Sequence, residues 1–341
     1  MKILLSSRLF HPSLGGSQKS AELLAREFIN LGQEVKVVTQ TIGSNTAADG
    51  SLFPFDVIRQ PNPIQLLKLV HWCDVYFHNG ISLRDAWPLL IIRKPWIIRH
   101  LSWLPSVGIS HSSLRGRLKH FIIRFSVSTA VSKAIAAHLR YPSTVIPSPY
   151  LDDLFRFIPE INRDKELIFL GRLVSDKGVG LLLEALFKLR DSGLKPKLTI
   201  IGQGSEEYKL HQKAIDLGIQ EQVYFMGTKV GEELVEILNE HQIMIVPSRW
   251  NEPSGGVATE GIACGCVVVG SEGGGLKDMI GPCGLTFPNG NVNALTEILL
   301  DLLKNPDKIA TYRAKAAKHL LSYKKKTVAK AYLQVLEAAV Q

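Results

Sequence analysis

Short apolar runs alternate with amphipathic stretches along almost the whole chain, and this alternation strongly limits the folds open to it. The runs that we predict to be buried strands are 2–6, 34–39, 75–78, 96–100, 127–131 and 144–146 in the first half, and 166–169, 197–201, 223–226, 243–246 and 266–270 in the second. Between them, leucine and phenylalanine recur at helical spacing, as in 18–31 and 180–189. Strand and helix in strict alternation predict two doubly wound α/β domains with parallel sheets.

The chain of 341 residues is long enough for two domains of roughly 150 residues each. The turn-forming sequence Ile146-Pro-Ser-Pro-Tyr150 and the polar segment after it interrupt the periodic pattern. We therefore predict a first domain over residues 1–150 and a second over 151–323. The amphipathic segment 324–341 is expected to form a C-terminal helix, which suits packing on either domain and so allows a return to the first.

The composition excludes several classes of protein. With 45% hydrophobic and 21% charged residues, the chain is neither disordered nor a disulfide scaffold. Its four cysteines show no paired metal spacing, so we interpret them as reduced core thiols of a cytoplasmic protein. The most apolar region, 87–104, is interrupted by charged residues and is too short to span a membrane. The apolar start suits a buried strand better than a secretory signal.

Positive charge is concentrated in the first half of the chain. The formal net charge is +9, and residues 1–150 carry 17 lysines and arginines against 7 acidic residues. Residues 114–125 combine an apolar helical face with basic flanks. This pattern is typical of a helix that lies on an anionic membrane surface, and equally of a core-packing helix with a solvated basic face. Nucleic-acid binding is not predicted, because aromatic residues are not interleaved with the basic ones for stacking.

Two glycine-rich turns that follow predicted strands suit a phosphate, since open α/β sheets bind ligands at the carboxyl ends of their strands. The first contains Gly15 and Gly16 and opens a helix whose N-terminal amides are free, although an ordinary tight turn has the same sequence. The second, residues 171–178, contains Arg172 and Lys177. Two cations five residues apart on one loop predict a clamp for a diphosphate.

Two further turns are candidates for ligand contact, and the first of them suits a sugar. In residues 247–256, Glu252 lies in the loop, and Glu260 follows in the next, apolar helix. A carboxylate in such a helix must be paired or accept hydrogen bonds, and sugar hydroxyls are suitable donors; a structural role as a buried partner is the alternative for Glu260. The last turn, residues 273–275, suits packing against a ligand or a simple change of direction.

Taken in order, these residues resemble glycosyltransferase family 4 over nearly the whole chain. The second half carries Gly171-Arg172, Lys177-Gly178, Gly202-Gln-Gly204, Gly227, Pro247-Ser248, Glu252, Glu260, Ala263-Cys-Gly265 and Gly274-Gly275 at the family's spacing. The first half matches more loosely, through Gly15-Gly16, residues 74–78, His100 and Val131-Ser-Lys133. The resemblance implies the GT-B fold, in which two Rossmann-like domains face a central cleft. It also implies a retaining hexosyltransferase that moves a sugar from a UDP- or GDP-linked donor to a glycan or lipid-linked acceptor, in polysaccharide or glycolipid biosynthesis.

The resemblance assigns roles to individual residues. Arg172 and Lys177 would hold the donor diphosphate with help from the Gly15-Gly16 turn, Glu252 would bond the donor sugar, and Glu260 the ribose. His100 would lie beside the transferred sugar. The remaining donor-binding residues are Gly227, Thr228, Lys229 and Val230, which would meet the base, and Ser254, Gly255, Gly256 and Val257. Ser254 stands where the family usually has a bulky aromatic residue, which implies a wider or altered sugar pocket.

The chain contains no Asp-x-Asp sequence, the metal-binding motif of the other major transferase fold. We therefore expect neither a metal nor another cofactor, with the cationic clamp neutralising the leaving diphosphate. We assign no covalent nucleophile, because the resemblance implies a mechanism in which the phosphate of the leaving group helps to take the proton from the acceptor hydroxyl. The protein is expected in the cytoplasm, with the inner face of the plasma membrane as a peripheral binding surface.

Two other functions share parts of this pattern. A nicotinamide-dependent oxidoreductase needs Gly-x-Gly-x-x-Gly after a strand, and residues 202–207 lack the third glycine. A non-catalytic GT-B-like partner subunit of a glycosyltransferase complex would be expected to have lost the clamp or the carboxylates, whereas Arg172, Lys177, Glu252 and Glu260 are retained. This partner subunit stays the alternative hypothesis.

Overall fold

The computed structural model describes residues 1–13, 15–43, 52–104, 114–139 and 141–341. The chain divides into two compact units. Unit 1 comprises Met1–Pro149 and Tyr323–Gln341, and unit 2 comprises Tyr150–Ser322. The first division therefore falls within the proline-rich turn that the sequence singled out.

Unit 1 is built on a parallel sheet of seven strands. The strands are β1 (Lys2–Ser7), β2 (Glu34–Thr39), β3 (Asp56–Arg59), β4 (Val75–Asn79), β5 (Trp96–His100), β6 (Val127–Ala130) and β7 (Ser143–Val145), in the order β3-β2-β1-β4-β5-β6-β7. The helices between them are α1 (Gly16–Asn30), α2 (Pro63–Trp72), α3 (Leu83–Ala86), α4 (Leu114–Ile123) and α5 (Lys133–His138). In the middle of the sheet, Ile3 of β1 pairs with Val35 of β2 and Val75 of β4.

Unit 2 is built on a parallel sheet of six strands. The strands are β8 (Lys165–Leu170), β9 (Leu198–Ile201), β10 (Val223–Phe225), β11 (His241–Val246), β12 (Val267–Ser271) and β13 (Gly284–Phe287), in the order β10-β9-β8-β11-β12-β13. The helices are α6 (Val179–Asp191), α7 (Glu207–Asp216), α8 (Gly231–Glu240), α9 (Gly256–Ala263), α10 (Leu276–Ile280), α11 (Val292–Lys304), α12 (Pro306–Arg313) and α13 (Ala316–Leu320). The prediction of two doubly wound parallel domains is confirmed.

The last helix, α14 (Lys325–Val340), belongs to unit 1. Its buried face joins the same core as Phe28 of α1 and Phe77 of β4. The ring of Tyr332 lies 5.3 Å from that of Phe77, centroid to centroid. Lys325 Nζ lies 3.9 Å from a carboxylate oxygen of the buried Glu27. Of the two packings that the sequence allowed for this helix, the structure shows the one on unit 1.

All four cysteines are buried and free of disulfide bonds. Burial raises the pKa of the Cys73 thiol to about 12 and that of Cys266 to about 11, because the charged thiolate loses hydration. These thiols are therefore protonated at neutral pH and pack as apolar core groups. In the part of the chain that the structure describes, no helix is long and apolar enough to cross a membrane.

Candidate functional site

Two of the predicted turns meet in unit 2, because β8 and β11 are neighbours in the sheet. Lys177 Nζ lies 2.5 Å from Glu252 Oε1, and Ser248 Oγ donates a hydrogen bond to the same oxygen over 2.7 Å. Glu252 is only 8% exposed. The cation predicted for the diphosphate and the carboxylate predicted for the sugar are thus direct partners, although 75 positions separate them in sequence.

Glycines bring these loops into backbone contact. Gly178 has a φ of +71°, and a Cβ at this position would lie 1.9 Å from the carbonyl oxygen of Pro247. Gly274 has a φ of +77°, and its Cβ would lie 2.0 Å from the carbonyl oxygen of Glu252. The amide of Gly275 donates to that same oxygen over 2.6 Å. The last predicted turn therefore supports the backbone of Glu252, a role for which residues 273–275 carry no obvious sequence signal.

Arg172 lies on a loop held from its other side. Leu173 N–H donates to Gln203 O over 2.9 Å, and a Cβ on Gly202 would lie 1.9 Å from Gly171 O. Only glycine at position 202 permits this approach. The Arg172 side chain is exposed and forms no hydrogen bond or ion pair within the described ranges, so its guanidinium is available to an anion.

The residues predicted to meet the base form a partly exposed segment after β10. The carbonyl of Gly227 accepts a hydrogen bond from Gly202 N–H over 2.8 Å. The hydroxyl of Thr228 bonds Gln203 over 3.3 Å, and Lys229 pairs with Glu233 over 2.5 Å. Val230 is 72% exposed. The exposed Val230 side chain offers an apolar surface that a planar base could contact.

The predicted sugar-binding residues cluster at the start of α9. Gly255 precedes the helix with a φ of +97°, and Gly256 is its first, exposed residue. The Ser254 hydroxyl is buried without a hydrogen-bond partner among the residues described. Val257 and Glu260 are half-buried on the helix. The first amides of a helix carry partial positive charge, so this end of α9 favours an anionic ligand.

The Gly15-Gly16 turn belongs to unit 1, where it opens α1. Leu14 lies outside the described residues. Both glycines are exposed, and the carbonyl of Ser17 accepts a hydrogen bond from Asn79 Nδ2 over 3.2 Å. The start of α1 is thus free on its outer side and tied to the end of β4 on its inner side.

His100 is buried at the end of β5, with Nε2 3.2 Å from the Ser128 hydroxyl. Burial lowers its pKa to about 4, so the ring is neutral at pH 7. His78 is fully buried against the ring of Tyr76, and burial lowers its pKa to about 3. His78 is interpreted as a core residue, in line with its position on a central strand.

We expect the protein to lose stability as the pH falls from 7 to 5. The folded-state pKa values of His78, His100 and His241 lie at about 3, 4 and 4, below the value of 6.5 for a free histidine. The unfolded chain therefore binds more protons below pH 6.5, and each pH unit down to the folded pKa costs about 1.4 kcal/mol per histidine. Because two of the three histidines lie in unit 1, the melting temperature of unit 1 should fall more than that of unit 2 when the pH is lowered to 5.

The variant His78→Leu provides the control for that prediction. Leucine does not titrate, so this variant should lose less stability between pH 7 and pH 5 than the unmodified protein. Equal losses in the two proteins would show that His78 is not held neutral by burial.

One contributor was missed by sequence reasoning. Ser248 was named only in the Pro247-Ser248 match to the family, yet its hydroxyl donates a hydrogen bond to Glu252. Its position four residues before a loop carboxylate is the only available signal. Within the described ranges, no group of three or more histidine, cysteine, aspartate or glutamate side chains is arranged to hold a metal ion.

Two Rossmann-like units with parallel sheets, each with a glycine-rich turn opening a helix, define the GT-B class of glycosyltransferase structures. The structure of Anabaena Alr3699/HepE in complex with UDP and glucose is similar over 99% of this chain and 100% of that chain, with a TM-score of 0.80 and 20% sequence identity. Residues 152–319 match the family model described as Glycosyl transferases group 1. The matched residues lie within unit 2.

Two curated relatives are similar over about half of this chain. The glycogen synthase of Mycobacterium tuberculosis is 33% identical over 178 residues, which cover 51% of this chain and 42% of that protein. The D-inositol 3-phosphate glycosyltransferase of Corynebacterium jeikeium is 35% identical over 152 residues, covering 41% of this chain and 36% of that protein. The matched part of this chain thus spans less than half the length of either relative.

Proposed function

We propose that this protein is a retaining hexosyltransferase of glycosyltransferase family 4, which moves a hexose from a UDP- or GDP-linked donor to a glycan or lipid-linked acceptor. The observation that carries the proposal is the pairing of Lys177 with the buried Glu252 at the carboxyl ends of β8 and β11. A nucleotide sugar offers both groups new partners, a phosphate for the lysine and hydroxyls for the carboxylate. The similar Anabaena protein holds UDP and glucose, which supports this choice of donor.

The proposed mechanism uses fixed cations in place of a metal. Lys177 and Arg172 neutralise the diphosphate as its bond to the sugar breaks, and the first amides of α9 add partial positive charge. Glu252 holds the sugar hydroxyls, Glu260 the ribose, and residues 227–230 the base. A phosphate oxygen of the leaving group accepts the proton from the acceptor hydroxyl, which attacks on the same face, so the anomeric configuration is retained.

A thermal-shift panel of UDP, GDP and ADP with their hexose derivatives, in buffer containing EDTA, tests this proposal. We expect one nucleotide family to raise the melting temperature and the matching nucleotide sugar to be consumed. Absence of a shift with every nucleotide would contradict the proposal. A shift without hydrolysis or transfer of the donor would instead favour a non-catalytic partner subunit.

We further propose that α4 docks unit 1 on an anionic membrane, where a lipid-linked acceptor would reside. Leu118, Phe121 and Phe125 are 48%, 56% and 72% exposed, and Arg124 beside them is also exposed. Ile122, which the sequence placed on the same apolar face, instead packs against the core. The exposed phenylalanines favour membrane contact over the alternative of a core-packing helix. The side chains of Leu114, Arg115 and Arg117 lie outside the described residues.

Vesicle sedimentation tests the membrane proposal. At low salt, we expect more binding to vesicles with anionic lipid than to neutral ones, because each basic residue near the surface adds about 1 kcal/mol. The double variant Phe121→Ser and Phe125→Ser should weaken this binding, whereas Tyr208→Ser, which changes an 81% exposed aromatic residue in unit 2, should not. Equal binding to anionic and neutral vesicles would overturn the proposal.

A further inference from the structure

Arg99 of β5 is a fully buried arginine that has no negatively charged hydrogen-bond partner among the residues that the structure describes. Its relative exposure is 0%. The guanidinium donates hydrogen bonds to Tyr332 Oη (2.9 Å), Ser20 Oγ (2.9 Å), Asn79 Oδ1 (2.8 Å) and Ser148 Oγ (2.8 Å). All four acceptors are neutral. Burying an ion is costly when no opposite charge compensates it, so this arginine requires an explanation beyond packing.

The four acceptors lie on four parts of unit 1 that are distant in sequence, one of which is Asn79 at the end of β4. Ser20 is in the second turn of α1, and its hydroxyl also donates to Ser17 O over 3.1 Å. Tyr332, on α14, extends the hydrogen-bond network, because its hydroxyl donates to Ile146 O over 3.2 Å. Ser148 follows Ile146 by two positions in sequence and is among the last residues of unit 1 before unit 2 begins. One guanidinium thus joins α1, the final helix and the segment at the unit boundary.

The same network supports the Gly15-Gly16 turn. Asn79, the acceptor on β4, uses its amide nitrogen to donate to Ser17 O and to Ser7 Oγ, each over 3.2 Å. Ser17 directly follows the two glycines. Its carbonyl oxygen accepts hydrogen bonds from Asn79 Nδ2 and from Ser20 Oγ, and both of these residues also bond Arg99. A shift of the guanidinium would be transmitted to this turn through Asn79 and Ser20.

We propose that Arg99 is a positioning residue that fixes the Gly15-Gly16 turn of α1 to receive a phosphate group of the substrate. The inference rests on the proposed function, since it takes the ligand to be a nucleotide sugar or a phosphorylated acceptor. The buried charge and the partial positive charge of the helix start have the same sign. A phosphate group that binds at this turn supplies the missing negative charge. The guanidinium attracts that phosphate electrostatically without contacting it.

The test uses Arg99→Lys, which keeps the charge but not the planar fork, and Tyr332→Phe, which removes one acceptor. We expect kcat/KM to fall about tenfold or more in both, because small displacements of a binding group have large kinetic effects. A rise confined to the donor KM identifies the donor diphosphate as the ligand, and one confined to the acceptor KM identifies an acceptor phosphate. The matched control is Arg163→Lys, since Arg163 also bonds several backbone carbonyls but in unit 2. It should lower the melting temperature with unchanged kinetic constants.

Hydrogen exchange at the first amides of α1 separates the two ways in which this inference can fail. If the unmodified protein transfers sugar and both variants keep its kinetic constants, the role of Arg99 is overturned while the proposed function stands. If the unmodified protein neither binds nor transfers a nucleotide sugar, the proposed function fails. Faster exchange at residues 16–20 in Tyr332→Phe than in Arg163→Lys would then still support the positioning role, and equal exchange would overturn it.

Discussion

Replacing Arg172 or Lys177 with alanine is expected to slow sugar transfer by about a hundredfold or more. Each side chain stabilises charge that develops on the diphosphate only as the glycosidic bond breaks, and removal of one such preorganised group typically costs 10²–10³ in rate. For Lys177→Ala we expect a further reduction of the transfer rate, because Glu252 loses its ion-pair partner while staying buried. Steady-state transfer assays with saturating acceptor measure both effects.

The matched control is Lys188→Ala, which removes an exposed lysine of α6 in the same unit. This variant should keep both the rate and the affinity for the donor. If Arg172→Ala and Lys177→Ala also turn over at nearly the unmodified rate, the two cations do not hold the leaving group, and the mechanism proposed for unit 2 is wrong.

Gly178→Ala is expected to damage both the stability of unit 2 and its activity. Alanine would have to adopt a φ of +71°, and its Cβ would lie 1.9 Å from the carbonyl oxygen of Pro247, so the backbone must move. The left-handed conformation alone costs about 1–2 kcal/mol, and the displacement should bring the total to about 4 kcal/mol. Because Lys177 is the adjacent residue, a displacement of about 1 Å should reduce transfer about a hundredfold.

Gly193→Ala isolates the conformational part of that effect. Gly193 has a similar φ of +86°, but a Cβ there meets no atom within 4 Å. Thermal unfolding should therefore show a loss of about 1 kcal/mol for Gly193→Ala and a much larger loss for Gly178→Ala. Equal losses in the two variants would mean that the close contact with Pro247 has little energetic weight.

The architecture of each unit could be predicted from the sequence because its central strands are continuously apolar. Buried on both faces, a strand such as β1 or β12 has no polar alternation and stands out against the amphipathic helices around it. The prediction missed β3 and β13, each of which is one of the two outer strands of its sheet. Both are only four residues long and largely half-buried, so their sequences lack a long apolar run.

The candidate site was predicted less completely than the fold. Turn chemistry singled out Arg172, Lys177 and Glu252, because cations and carboxylates at strand ends have few structural roles. Their pairing depends on which strands are adjacent, and the order of strands in a sheet is not written in the local sequence. The role of Arg99 was not predicted, since nothing in the sequence around it shows that Tyr332 would become its partner.

The place of α14 in unit 1 has a consequence for synthesis of the chain. Val328, Tyr332, Leu333 and Leu336 belong to the core of unit 1, whereas residues 150–322 contain the whole of unit 2. Domains generally fold as they leave the ribosome, starting from the N-terminal one. Here unit 2 can fold first, while the core of unit 1 keeps an exposed apolar surface until a helix translated about 175 residues later is complete, and in that interval unit 1 is the part of the chain most prone to aggregate.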